Sequence, residues 1–241
     1  MSLRLSNLSI LMFTATLSAS WSLSAAHALT SPYKSTVEGL SYGNTHEIAP
    51  RVFRGSEPGH KVQELVDFGI TDVLIFKRDA RGEVARQIQA LRDAGFKARQ
   101  IHHLPMPWKD IDDEVSVCEH IVDGLALIHK VSASPRRQLY FHCTVGEDRT
   151  GLLAALIRQL AQGWTAEQAF QDEMCRHGYE AGNPRKPSFV VQAIRDHLTP
   201  IYAKLQILIG RGELNWGNLD RNLCSQLPDM HVSRARLPLC R

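Results

Sequence analysis

The run Leu139-Tyr140-Phe141, then His142-Cys143-Thr144-Val145-Gly146-Glu147-Asp148-Arg149-Thr150-Gly151, then Leu152, Leu153, Leu156, Ile157 and Leu160, leaves few ways to fold. The short apolar run reads as a buried strand, and the later apolar spacing reads as a helix closed by Gly163. The ten residues between them are a strand-to-helix turn. Such a turn gathers backbone N–H groups and the positive end of a helix dipole around one concavity, which binds phosphate without a metal.

Two side chains make this turn reactive as well as anion-binding. N–H groups and a nearby guanidinium favour the thiolate of Cys143, the attacking form, over the thiol. Arg149, at the start of the helix, folds back over the same concavity, where its planar fork can hold two phosphate oxygens at once. Thr150 shares its hydroxyl with the sulfur. His142 reads as a buried residue that orients the loop rather than as a proton carrier. Gly146 and Gly151 permit a tight turn and close packing of helix on strand.

His142-Cys143, five residues, then Arg149-Thr150 resembles the signature of the cysteine-dependent protein tyrosine phosphatase superfamily. Gly146, the Thr150-Gly151 pair and the strand-turn-helix context agree with that signature. Arg54-Gly55-Ser56-Glu57-Pro58 is similar to the Arg-Ser-Gly-x-Pro turn that opens many small bacterial and fungal members, and the arrangement looks like the compact dual-specificity and phytase-like branches. The resemblance covers about residues 50 to 200. It implies an α/β fold with a largely parallel central sheet flanked by helices, the reactive loop lying between the last strand and its helix. It also implies a metal-independent phosphomonoester hydrolase working through a phosphocysteine intermediate, with no cofactor and no metal.

That chemistry needs a proton for the departing oxygen, and a carboxylic acid on a separate loop normally supplies it. Leu104-Pro105-Met106-Pro107-Trp108-Lys109-Asp110 looks like the family's Trp-Pro-Asp loop with Lys in place of Pro, and Asp110 stands 33 positions before Cys143, near the family's usual separation. Asp110 is the first candidate. Asp148 is the alternative, because Gly146 to Gly151 is similar to a bacterial subgroup with Lys-Asp-Arg here, whose loop aspartate has been suggested as the acid. Glu147 replaces that Lys, taking a cation from the mouth of the pocket and adding a carboxylate. Asp112 and Asp113 read as caps of the helix that begins near Glu114.

The loop residues Thr144, Val145, Gly146, Glu147 and Asp148 are the expected phosphate cradle. Arg54, Lys77, Arg78, His103 and Lys109 fall near strand ends, on the side where open parallel sheets bind ligands, and are candidates to hold further phosphates. The expected substrates are phosphotyrosine or another phosphoprotein ester, or an inositol phosphate of phytate type. A phosphate-binding module with poor turnover and a redox protein using Cys143 are the alternatives from other classes. The redox reading lacks a Cys-x-x-Cys.

The formal charge of +3 suits an anionic substrate and does not suggest a nucleic-acid partner. Residues 1–28 read as a secretory leader: Arg4 is the early charge, Ile10 to Ala19 is apolar, and Ala26-His27-Ala28 is a small-x-small cleavage pattern. The mature chain then starts at Leu29 and works in the periplasm or outside the cell. The apolar run is shorter than the roughly 20 residues that cross a bilayer, so no stable membrane insertion is expected once the leader is cut.

Of the five cysteines, Cys143 must stay reduced, and Cys118, Cys175, Cys224 and Cys240 remain as an even set for an oxidising compartment. Three pairings are possible; local closure favours Cys118 with Cys175 and Cys224 with Cys240. Alternating strand and helix patterns from Arg51 onward point to a parallel sheet, with only helices after the reactive loop. Thr165 and Gln168 form a capping box, and Ser188 caps a helix running toward Pro200. Residues 29–50 show no periodicity and read as an N-terminal strap, 51–209 as the domain, and 210–241 as an irregular tail wrapped on it.

Overall fold

The computed structural model describes residues 33–180, 186–229 and 237–240. The leader expected at 1–28 and the Leu29 start lie outside the described residues. Among the described residues no helix is long and apolar enough to cross a membrane.

Five strands form one sheet in the order β1-β2-β5-β3-β4: β1 (His46–Ala49), β2 (Val52–Gly55), β3 (Asp72–Phe76), β4 (Ile101–Leu104) and β5 (Leu139–His142). β2, β5, β3 and β4 run parallel, and β1 is antiparallel to β2. The central strands are buried on both faces, so their side chains alternate between two cores with the two-residue period of a strand. Leu74, Phe76, Leu139 and Phe141 face one core, and Val73, Ile75 and Tyr140 face the other. α1 (Val62–Phe68) and α2 (Glu83–Asp93) cover the second core. α3 (Glu114–Ser132) and α4 (Asp148–Gln162) cover the first, with α5 (Ala166–Gln168) leading into the buried Ala169 and Phe170, and with α6 (Ser188–Ala193) and α7 (Thr199–Gly210) packed beside them.

The expected stops are present where they are local. Gly69 and Gly163 close α1 and α4 in the left-handed conformation, with φ of 87° and 72°. Thr165 and Gln168 form the capping box of α5, and Asp113 caps α3 by accepting from Ser116 N–H at 3.0 Å.

Four expectations are corrected. Regular structure begins before Arg51, because His46–Ala49 pairs with β2; a bulge between Glu47 and Ala49 hides the strand's alternation. The strand expected over Phe96 to Leu104 is only Ile101–Leu104, preceded by a short 3₁₀ turn. Ser188 is the first residue of α6 rather than its cap, and the helical path passes Pro200. A wide π turn over Ile194–Leu198 precedes that proline, which sits in the first turn of α7, where a missing N–H costs nothing.

The fourth correction is the disulfide pairing. Two bridges form from the expected four cysteines, but they are Cys118–Cys224 and Cys175–Cys240, with Cα separations of 5.6 and 5.3 Å. The tail does not close on itself. It lies back along α3, where Arg221 pairs with Glu119 and with Asp123, and this sets Cys224 over Cys118. The bridges span 106 and 65 residues, and loops of that size constrain the unfolded chain by about 4–5 kcal/mol each in the chain-entropy estimate.

Candidate active site

β5 is flanked by β2 and β3, so the loop that follows it opens at the carboxyl ends of three parallel strands. Its carbonyls are tied outward into the scaffold. Cys143 O accepts from His142 Nδ1 at 2.7 Å, Thr144 O from Glu57 N–H at 3.1 Å, and Gly146 O from Asn44 Nδ2 at 2.8 Å and from the Arg54 guanidinium. In a trans peptide the N–H points opposite the C=O, so the anchors on Cys143 O and Thr144 O turn the N–H groups of Thr144 and Val145 the other way, toward the concavity. Among the described residues the N–H groups of Thr144, Val145 and Asp148 have no acceptor. They are the donors an anion would find.

Gly146 makes the turn possible, with φ of +72°. A Cβ there would lie 2.4 Å from the Gly55 carbonyl carbon and 2.6 Å from Ser56 N. Gly146→Ala is therefore expected to move the loop off its anchors. A stability loss of roughly 1–3 kcal/mol and a fall in phosphate affinity should follow, as read by thermal melts and by titration with phosphate. An alanine variant with wild-type melting and affinity would show that the loop has another way to turn.

Cys143 is buried at 1% exposure and is the one free cysteine among the described residues. Burial pushes its thiol up, but the Arg149 guanidinium, the Thr150 hydroxyl and the Thr150 N–H outweigh it, and the net pKa lies below the ordinary value. Thr150 Oγ1 is buried and, among the described residues, has no partner at hydrogen-bond geometry. Arg149 reaches across the loop to Met106 O at 3.2 Å and Thr144 Oγ1 at 3.4 Å, while its buried Nε has no partner. A buried guanidinium with an idle donor next to idle N–H groups is a site set for an oxyanion.

His142 is fully buried, and burial above all lowers its pKa to about 3, so the ring is neutral. Its Nδ1–H donates to Cys143 O and its Nε2 accepts from Gln87 Nε2 at 2.7 Å. The ring is thus held between the loop and Gln87 of α2.

The pattern of residues 60–179 matches the family model described as the tyrosine phosphatase family. The chain belongs to the tyrosine phosphatase family. Among solved structures this phosphatase is similar to the core catalytic domain of the PP-IP phosphatase SIW14 from S. cerevisiae, with 19% identity over 71% of this chain and 94% of that one and a TM-score of 0.44. It is similar to P. aeruginosa TpbA, with 18% identity over 68% and 91% and a TM-score of 0.44. It is also similar to a putative phosphatase of Shewanella putrefaciens CN-32, with 16% identity over 67% and 92% and a TM-score of 0.44. No curated protein matches the sequence.

The matched range holds Asp110 and the whole reactive loop of the phosphatase but leaves out Asn44, Arg54 and Lys186, all of which touch that loop. Asn44 has a positive φ of 58°, is 1% exposed, and bonds both Gly146 O and His177 O. Its isolation from any motif hid it. Lys186 reaches Glu147 and Asp148 from far along the chain.

Other expected residues lie elsewhere than the sequence suggested. Arg54 and Lys77, read as holding further phosphates, are turned inward. Arg54 is 0% exposed and spans Gly146 O and Glu173, and Lys77 is 2% exposed and pairs with Glu57 at 2.5 Å. Glu147 is buried against Gly178 and pairs with Lys186 at 3.2 Å, so it adds no carboxylate to the mouth. His103 Nε2 donates to Lys77 O at 2.8 Å. Asp110 is 63% exposed with φ of +52°, pairs with Lys109 at 3.2 Å, and shares a groove with Arg78 and His120 rather than touching Cys143. Lys109 also lies over the Trp108 ring at 5.7 Å.

His46, Glu173 and His177 bring three potential metal donors within 4.8 Å of one another. The electrostatics oppose a cation there. Glu173 already accepts from Arg54 at 2.7 Å, from Arg158 at 2.9 Å and from His46 at 3.0 Å, so a dication would face two guanidinium groups. The cluster reads as an ion network that braces Arg54 under the loop.

Proposed function

We propose that the phosphatase is a metal-independent phosphomonoester hydrolase in which Cys143 is the nucleophile, Arg149 the oxyanion clamp and Asp110 the acid. The observation that carries this is a buried thiol held below its ordinary range by Arg149 and Thr150, at the foot of a loop in which the N–H groups of Thr144, Val145 and Asp148 have no acceptor among the described residues. The Cys143 sulfur attacks phosphorus as the ester P–O bond breaks, and the departing oxygen takes a proton. Water then attacks phosphorus, the S–P bond breaks, and phosphate and thiolate are released. His142 and Thr150 support the loop and the sulfur, and the N–H groups of Thr144, Val145 and Asp148 bind the phosphoryl oxygens.

A test is acid quenching during turnover of p-nitrophenyl phosphate with chelator present, followed by mass analysis. A phosphate adduct on the Cys143 peptide is expected. Full turnover with no adduct, or activity abolished by the chelator, overturns the mechanism. Arg149→Lys keeps the charge but loses the two-pronged grip, and kcat is expected to fall about 10²-fold or more. A near-normal rate would show that bidentate clamping is not used.

The substrate class is a phosphotyrosine or other phosphoprotein ester, or an inositol phosphate. The inward pairing of Arg54 and Lys77 supports the first over a polyphosphorylated ring, because among the described candidates it leaves only Lys109 and Arg78 for further phosphates. A kcat/KM for inositol hexakisphosphate far above that for a phosphotyrosine peptide would reverse that order. The same proposal places the protein in the periplasm or outside the cell, as the leader pattern at 1–28 and the two disulfides support. Fractionation of the native host that leaves the protein in the cytoplasm overturns it.

A further inference from the structure

Lys186 carries the observation that the mechanism leaves unused. Its side chain is 9% exposed, yet its ammonium donates to Asp148 Oδ1 at 2.5 Å, to Glu147 Oε2 at 3.2 Å and to Gly178 O. An ammonium has three donors, and all three are engaged. Glu147 and Asp148 are themselves 2% and 12% exposed, so neither charge is well solvated. They stand at the junction of the reactive loop and α4, within the turn that also holds Arg149 and Thr150.

We infer that Lys186 is a positioning residue of the reactive loop, an internal cation that fixes Glu147 and Asp148 and cancels their charge beside Cys143. The charge balance gives the reason. Without Lys186, the Asp148 carboxylate beside the sulfur loses the cation it is bonded to, and its charge opposes both the thiolate and an entering phosphoryl dianion. With it, the Asp148 charge is held by Lys186, and among the described residues the N–H groups of Thr144, Val145 and Asp148 and the Arg149 Nε–H keep no acceptor and can act on the anion. The Asp148 charge pushes the Cys143 thiol up, and Lys186 is the group placed to offset that. Two carboxylates in turn raise the Lys186 pKa despite its burial, so the ammonium persists at neutral pH.

Among the described residues few groups face these charges, and Asp148 also faces Glu180 and Tyr179. Cys143 faces Arg149, Asp148 and Thr150 from α4, Tyr140 from β5 and, through its carbonyl, His142. Lys186 faces Glu147, Asp148 and Tyr33. His142 is neutral throughout the working range and cannot mimic the effect.

This inference rests on the reading of Cys143 as a reactive thiol, and its test reads that thiol directly. The rate of Cys143 alkylation by iodoacetamide is followed against pH by mass analysis in the wild type, Lys186→Met and Lys186→Arg. Lys186→Met is expected to move the midpoint upward by about one pH unit, with Lys186→Arg restoring most of it. KM for p-nitrophenyl phosphate should rise in Lys186→Met more than thermal stability alone explains. An unshifted midpoint in folded Lys186→Met overturns the inference. If that variant does not fold, Lys186→Met combined with Asp148→Asn removes one charge of each sign, the carboxylate being the one that pushes the thiol up. A midpoint near wild type then supports the charge-cancelling role, and a midpoint shifted by a full unit overturns it. Absence of phosphatase activity in the wild type would sink the nucleophile proposal and leave this alkylation test standing.

Discussion

Cys143→Ser is expected to leave less than about 1% of wild-type turnover while phosphate still binds, since losing the nucleophile removes several kcal/mol of barrier lowering. A serine hydroxyl at this place is a far weaker nucleophile at neutral pH, and Thr150 and Arg149, which act on a thiolate, cannot ionise it to a useful extent. The cradle does not depend on sulfur. Its anchors are the carbonyls of Cys143, Thr144 and Gly146, and Arg149 is held by Met106 O and Thr144 Oγ1. Calorimetric titration with phosphate should therefore give an affinity within a few-fold of wild type. Residual turnover above that 1% level in protein free of wild-type contamination would remove Cys143 from the nucleophile role.

Asp110→Asn is expected to cost about 10²- to 10⁴-fold for an alkyl or inositol phosphate and much less for p-nitrophenyl phosphate, whose anion departs unaided. A donor must carry its proton while Cys143 is a thiolate, so the alkaline fall of the pH–rate profile should flatten in the variant. Asp110 stands out in solvent in this structure, so on the proposed mechanism the exposed tip at Lys109 and Asp110 has to swing toward Cys143 for the transfer. Met106, buried and bonded through its carbonyl to Arg149 and to Arg78 N–H, stays in place. The Asp110 tip itself is lightly held. Its pairing with Lys109 is exposed and worth at most about 1 kcal/mol, and its left-handed backbone costs of order 1–3 kcal/mol to keep. Asp148→Asn is the control. Asp148 accepts from Lys186 and from Glu180 N–H, so its change should weaken the loop without a dependence on the leaving group. If only Asp148→Asn shows that dependence, the acid lies in the reactive loop and Trp108 to Asp110 shape the pocket instead.

On the proposed mechanism the two variants divide the chemistry between a buried part and an exposed one. Cys143 follows β5, and Arg149 and Thr150 open α4, in a loop held by His142, Glu57 and Asn44. Asp110 sits on a surface turn between β4 and α3. On that mechanism a buried nucleophile and clamp with a separately delivered proton would let the phosphate enter before the acid closes over it.

What the sequence determined by itself is what is contiguous in it. The strand of Leu139 to Phe141, the turn at Gly146, the helix closed by Gly163 and the placing of Cys143, Arg149 and Thr150 around one concavity all depend on neighbours within a few residues. Local geometry and side-chain period therefore specify them. The parallel sheet was legible for the same reason, since strands buried on both faces must be apolar throughout. The tertiary structure decided everything that needs a distant partner. Asn44 meets Gly146 across 102 residues, Arg54 meets the same carbonyl across 92, and Lys186 meets Asp148 across 38. No spacing rule links such pairs. Arg54 and Lys77 show the other side of the same limit: charge near a strand end marks where a side chain starts, but only packing decides whether it turns toward solvent and substrate or inward to a buried partner. The disulfides follow suit, because the path of the tail over α3, and not the distance along the chain, brought Cys224 to Cys118 and left Cys240 for Cys175.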